Sequence, residues 1–208
     1  MSVAGLDKLR LADCGVASRP LKGQAVSGDM HVVKPFGYVV LLAVIDGVGH
    51  GDEATAAARA AAEVLEQNAH GSVIALVKRC HDAIARTRGV VLTVASLNAL
   101  DNTVTWLGVG NVEGRLLRAD LHASHPCENV LLRNGLVGMQ LPALHAGVLP
   151  IAPGDLLMFA TDGIQPDFEQ GINRAESPRQ IANGIMSRHF KGKDDALVLV
   201  VRYTGSSP

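Results

Sequence analysis

The residues of this chain best suited to chemistry are four carboxylate positions. Asp29 follows Ser27-Gly28, Asp46 precedes Gly47, Asp162 precedes Gly163, and Asp194-Asp195 opens the last apolar run. Each lies at the end of an apolar segment or in a glycine turn. If those segments are neighbouring strands, the carboxylates converge at one rim and repel one another, a cost that a bound divalent cation removes. Oxygen donors with few accompanying His or Cys residues suit a hard ion, Mg²⁺ or Mn²⁺, and not Zn²⁺. Two such ions about 3.5 to 4 Å apart can share a bridging water, lower its pKa and hold a phosphate oxygen for in-line attack. No nucleophilic side chain is needed. In this arrangement Asp46 is the bridging ligand, Gly47 a carbonyl ligand, Asp162 and Asp194 the other direct ligands, and Asp29 a ligand or a holder of metal-bound waters. Asp195 is the alternative to Asp194, since adjacent residues of an extended segment point to opposite sides. A lone Asp-Gly pair is more often a plain turn, so the expectation rests on the ordered set.

The elements that must position these acids follow from periodicity. Leu9 to Ala17 reads as a strand, and Ser18 to Asp29 as a loop or hairpin. Tyr38 to Ile45 is a continuous β-branched run, expected of a strand covered on both faces, and it delivers Asp46 to its own end. Glu53 to Ala69 is Ala-rich and free of Gly and Pro, which predicts a helix closed by Gly71. A second helix is capped by Ser72, puts Val73, Leu76, Val77, Cys80 and Ile84 on one face, and ends by Gly89. Val90 to Leu117 reads as three short strands of an antiparallel meander. After Asn129 to Arg133 and a turn-rich segment to Pro153, Asp155 to Ala160 is a strand ending in Thr161-Asp162-Gly163. A helix starts at Ser177 with Pro178 in its first turn and runs to about His189, and Ala196 to Tyr203 is the final strand.

Bulk properties narrow the function classes. Apolar residues make up 48% and charged residues 19%, a globular composition, and 208 residues suit one domain. With 19 basic against 20 acidic residues, no net field draws the chain to nucleic acid or anionic lipid, so neither is expected as a partner. Cys14, Cys80 and Cys127 form no CxxC pair, and their odd number without a secretory signal points to reduced thiols in the cytoplasm. His122, His125 and Cys127 match no zinc spacing and read as a surface loop.

Several segments together resemble the metal-dependent protein phosphatases, the PPM or type 2C family, and within it the SpoIIE-like branch. They are SGD at Ser27 to Asp29, VIDGVGHG at Val44 to Gly51, GVGNVEG at Gly108 to Gly114, PGDLLMFATDGI at Pro153 to Ile164 and DDALVLVVR at Asp194 to Arg202. The resemblance covers about Asp13 to Arg202. It implies an α+β fold, the αββα sandwich of two mainly antiparallel sheets flanked by helices, with 1–208 as a single domain. It also implies ligation of two Mn²⁺ or Mg²⁺ ions by Asp46, the Gly47 carbonyl, Asp162 and Asp194, with Asp29 behind the second ion. Because the chain is almost entirely catalytic domain, it looks like the stand-alone RsbX type, whose implied partner is a phosphorylated STAS-domain stressosome protein. Two positions depart from the larger enzymes. The place of their phosphate-gripping arginine holds Gln24, with Lys22 nearby as the candidate substrate contact. Their histidine two residues after the bridging aspartate is replaced by Val48, leaving His50 as the candidate general acid. Asn111 within GVGNVEG either positions the loop near the site or simply makes a turn, and the turn is the favoured reading. The alternatives are a non-catalytic module docking on a regulatory protein and a phosphatase of small metabolites.

Overall fold

The computed structural model describes residues 11–24, 26–49 and 51–205. An unbroken apolar run needs cover on both faces, and Val39–Gly47 (β3) has it: Val40 to Ile45 are at most 4% exposed. It pairs antiparallel with β2 (Asp29–Phe36) and with β4 (Val90–Asn98). Strand β4 pairs with β5 (Thr103–Val109), which also pairs with β8 (Leu132–Arg133) and β9 (Gly147–Pro150). A second, antiparallel sheet has the order β1 (Ala12–Arg19), β11 (Ala196–Tyr203), β10 (Leu156–Ala160), β6 (Glu113–Leu117), β7 (Cys127–Asn129).

Side-chain alternation stacks these sheets. Leu41, Ala43 and Ile45 of β3 pack against α1 (Asp52–Gln67) and α2 (Val73–Ala83), whereas Val40, Leu42 and Val44 point the other way, into a core shared with Leu197, Leu199 and Val201 of β11. The opposite face of β11, Ala196, Val198 and Val200, packs against Ile181 and Ile185 of α3 (Pro178–His189). The result is four layers, helices, sheet, sheet, helix: the αββα sandwich. Helix α1 lies close to its sheet because its buried stripe is Ala54, Ala57, Ala58 and Ala61. Helices α2 and α3 begin as expected, Ser72 accepting from the Ala75 N–H and Ser177 forming a capping box with Gln180.

The structure adds strands that periodicity did not reveal. Strand β2 carries Lys34 and Pro35, which break its alternation, and proline is tolerated there because β2 is a sheet edge. Strand β9 lies within the turn-rich segment, and the expected Asn129 to Arg133 element divides between β7 and β8, one in each sheet. Strand β1 runs from Ala12 to Arg19, two residues beyond the expected end at Ala17, and the expected start at Leu9 lies outside the described residues.

A candidate metal centre at the rim between the sheets

The inward-facing rows of β3, β10 and β11 run out into polar residues at one rim. Asp46 continues the Val40-Leu42-Val44 row and stands directly across the ladder from Asp29. Thr161 continues the Leu157-Phe159 row of β10, and Asp195 precedes the Leu197-Leu199 row of β11 with the same parity. The buried Thr161 hydroxyl joins the two sheets, donating to Asp29 Oδ2 at 2.8 Å and accepting from the Leu197 N–H at 2.8 Å. Asp195 is 4% exposed and accepts from two backbone N–H groups, Leu21 at 2.6 Å and Gly28 at 2.7 Å. Its carboxylate therefore clamps the loop that leads into Asp29, while its neighbour Asp194 is exposed. Asp162 is held from two sides. Asn111 Nδ2 donates to its Oδ2 at 2.9 Å, and Lys191 Nζ donates to its main-chain carbonyl at 2.7 Å.

The two Asp-Gly pairs share a packing reason. A Cβ on Gly47 would meet the Ala54 carbonyl oxygen at 2.2 Å, and one on Gly163 would meet that of Asp195 at 2.0 Å. The first glycine lets the opening turn of α1 lie on the end of β3, and the second lets the turn after β10 lie on the start of β11. The Gly47 carbonyl lies beside the Ser27-Gly28-Asp29 turn, 3.7 Å from where a Gly28 Cβ would stand.

Crowding has an electrostatic signature. Burial first, then the neighbouring carboxylates Asp29, Asp162, Asp194 and Asp195, raise Asp46 to about 8. Burial likewise raises Asp29 to about 7, against the pull of the Thr161 hydrogen bond, with Asp195, Asp162 and Asp194 adding to the rise. Asp162 is raised by burial and by Asp194, and held back by Lys191 and Asn111. A cluster that resists ionising together is one that a divalent cation stabilises, and its all-oxygen chemistry suits a hard ion. Among the described residues no three His, Cys, Asp or Glu side chains form a ready cage.

Of the residues singled out in the sequence, Asp29, Asp46, Asp162 and Asp194 thus share one electrostatic cluster, with Gly47 in its wall. Lys22 stands exposed in a turn of the 20–24 loop, and the cation acting on the cluster is Lys191. His50 lies outside the described residues. Asn111 is corrected: it does not simply make a turn but reaches Asp162, 51 positions away, a link that spacing does not reveal. Thr161 and Asp195 were likewise missed as positioning residues, although both sit in segments already singled out. Burial pushes the Cys14 thiol up to about 11 and that of Cys80 to about 12, which keeps both protonated near neutral pH. His122 and His125 lie on the surface, as the spacing suggested.

Residues 37–204 match the family model described as Stage II sporulation protein E (SpoIIE). Over 175 residues the chain is 24% identical to the phosphoserine phosphatase RsbX of Bacillus subtilis (strain 168), covering 84% of this chain and 86% of that one. A crystal structure of RsbX in complex with magnesium superposes with a TM-score of 0.83 at 22% identity, over 93% of this chain and 96% of the other. A solved chain from work on the bacterial stressosome, a modular system adapted to control secondary messenger signalling, also gives 0.83, at 27% identity over 92% of this chain and 99% of that one.

Proposed function

Given that this chain belongs to the SpoIIE family and is a PP2C-type protein serine/threonine phosphatase, we propose that its substrate is a phosphorylated STAS-domain protein of a bacterial stressosome, dephosphorylated in the cytoplasm with two Mg²⁺ or Mn²⁺ ions. The observation that carries the metal-dependent reading is the convergence of Asp29, Asp46, Asp162 and Asp194 from four distant parts of the chain on one rim. The substrate rests on relatives: RsbX is a phosphoserine phosphatase, and the solved chain above comes from work on the bacterial stressosome. No helix among the described residues is long and apolar enough to cross a membrane.

A hard divalent ion, when bound, supplies Lewis acidity that lowers the pKa of a water and polarises a phosphoryl oxygen. The chain's own residues build the place for it. Asp46 and Asp29, paired across the β2–β3 ladder, present adjacent carboxylates, and the Gly47 carbonyl lies beside them. Asp162 and Asp194 complete the ligand set. Thr161 fixes one oxygen of Asp29 and Asn111 one oxygen of Asp162, leaving the others for the cation. Both oxygens of Asp195 accept from Leu21 and Gly28, which supports Asp195 as the residue that positions the loop and Asp194 as the one that would ligate. His50 is the candidate proton donor to the leaving hydroxyl.

The purified chain should release phosphate from a phosphorylated STAS protein in the presence of Mn²⁺ and stop when the metal is chelated. It should turn that protein over faster than any of a panel of phosphorylated metabolites. Release that persists under chelation contradicts the metal role, and a preferred metabolite contradicts the substrate.

A further inference from the structure

The turn from α2 to β4 runs alongside the loop that follows Asp46. Gly47 pairs with Val90, and the Val48 N–H donates to the Gly89 carbonyl at 3.2 Å. Arg88 is thereby fixed one residue from a backbone hydrogen bond to the loop. Its guanidinium lies over Gly49: a Cβ on that glycine would stand 3.0 Å from Arg88 Nη1. Arg88 Nε pairs with Glu53 in the first turn of α1. Starting at Val48, an open groove of about 580 Å³ is lined by Glu53, Arg86, Arg88, Leu136 and Met139. Val48 and Met139 are 38% and 64% exposed, so the groove offers apolar contact beside two guanidinium groups.

We propose that Arg88 is the cation that grips the substrate's phosphate, and that the groove from Val48 to Met139 takes an apolar side chain of the phosphopeptide next to the phosphorylated residue. The inference rests on the phosphatase reading and specifies how that site recognises its substrate. The Glu53 ion pair does not compete strongly. Both partners are more than half exposed, and such pairs contribute only about 0 to 1 kcal/mol. A phosphate dianion offers Arg88 the stronger, bidentate partner. A neighbouring groove, lined by Val26, Asp52, Arg59 and Glu63, has two carboxylates to one guanidinium and suits an anion less.

Arg88→Ala is compared with the intact chain in Mn²⁺, using para-nitrophenyl phosphate and a phosphoserine peptide with an adjacent leucine, and binding of inorganic phosphate is measured by calorimetry. The expected result is a rise of about tenfold in both KM values and in the Kd for phosphate, with kcat falling less than about threefold, the pattern of lost ground-state binding. Arg88→Lys should recover only part of the affinity, since an ammonium lacks the fork. Met139→Ala should raise KM for the peptide and not for para-nitrophenyl phosphate. Unchanged KM and phosphate Kd in Arg88→Ala, with turnover intact, overturn the role of Arg88 and leave the phosphatase reading standing. An intact chain that binds phosphate through Arg88 but releases none from either substrate overturns the phosphatase reading alone.

Discussion

Asp46→Asn is expected to lower Mn²⁺-dependent phosphate release by at least about 10³-fold while the chain stays folded. Loss of a single neutral contact to a transition state costs about 10² to 10³ in rate, and this change removes a charged group from the centre of the cluster. A thousandfold loss is about 4 kcal/mol of barrier. Without metal, the same substitution stabilises. Unfolded, an aspartate titrates near about 4. Folded, burial and the neighbouring carboxylates hold Asp46 at about 8 and Asp29 at about 7. The folded chain thus holds these protons more tightly than the unfolded one. Their contribution to stability is complete below about pH 4 and is lost as pH rises through 7 to 8. The metal-free chain should therefore be less stable at pH 8 than at pH 6, by a difference on the order of a few kcal/mol, and should melt at a lower temperature there. Asp46→Asn, with no charge to bury, should melt above the unaltered chain at pH 8. Turnover within tenfold of normal, or a metal-free variant less stable at pH 8, contradicts this account of the residue.

The second large effect is structural. Gly163→Ala should lower stability by at least about 3 kcal/mol, because its Cβ would lie 2.0 Å from the Asp195 carbonyl oxygen and 2.9 Å from the Ala196 Cβ. Overpacking costs about 1 to 3 kcal/mol even where side chains can give way, and here the obstacle is the backbone at the start of a central strand. At about 2 to 4 °C per kcal/mol for a domain of this size, the melting midpoint should fall by roughly 6 to 12 °C. Metal activation should weaken with it, since Asp162 and Asp194 flank the clash. Gly184→Ala within α3 is the control. Its nearest neighbours are the Arg188 guanidinium atoms at 3.6 Å, and helix propensity predicts a gain of up to about 1 kcal/mol. Equal melting of Gly163→Ala and the unaltered chain would contradict the packing reason given for the second Asp-Gly pair.

What was legible in the sequence was local. The unbroken Val39 to Ile45 run, the alanine stripe of α1 and the Ser177-Pro178 cap each carry their structure in a few consecutive residues, and all three elements form as expected. The acids could be singled out because each borders an apolar run or lies in a glycine turn. Parity then explains why they meet: Asp46 and Thr161 extend rows that already face the partner sheet. What stayed hidden depends on tertiary neighbours. Strand β2 forms because an edge tolerates Pro35. Asn111 looked like a turn residue because its partner Asp162 is brought to it only when β6 pairs with β10. At the last acidic pair the resemblance implies Asp194, and what the sequence does not show is that both oxygens of Asp195 accept backbone N–H groups, from Leu21 and Gly28. Arg88 escaped notice because nothing in the sequence around it links it to Gly49.

Calorimetric titration of the metal-free chain with Mn²⁺ near pH 7.5 bears most directly on whether these aspartates form a cation site. Saturable uptake is expected, with release of protons from Asp29 and Asp46 that appears as a dependence of the heat on the buffer's ionisation enthalpy, and Asp46→Asn should lose most of both. No uptake at millimolar Mn²⁺, or equal uptake by the variant, would mean that the carboxylates gather at the rim for some purpose other than holding metal.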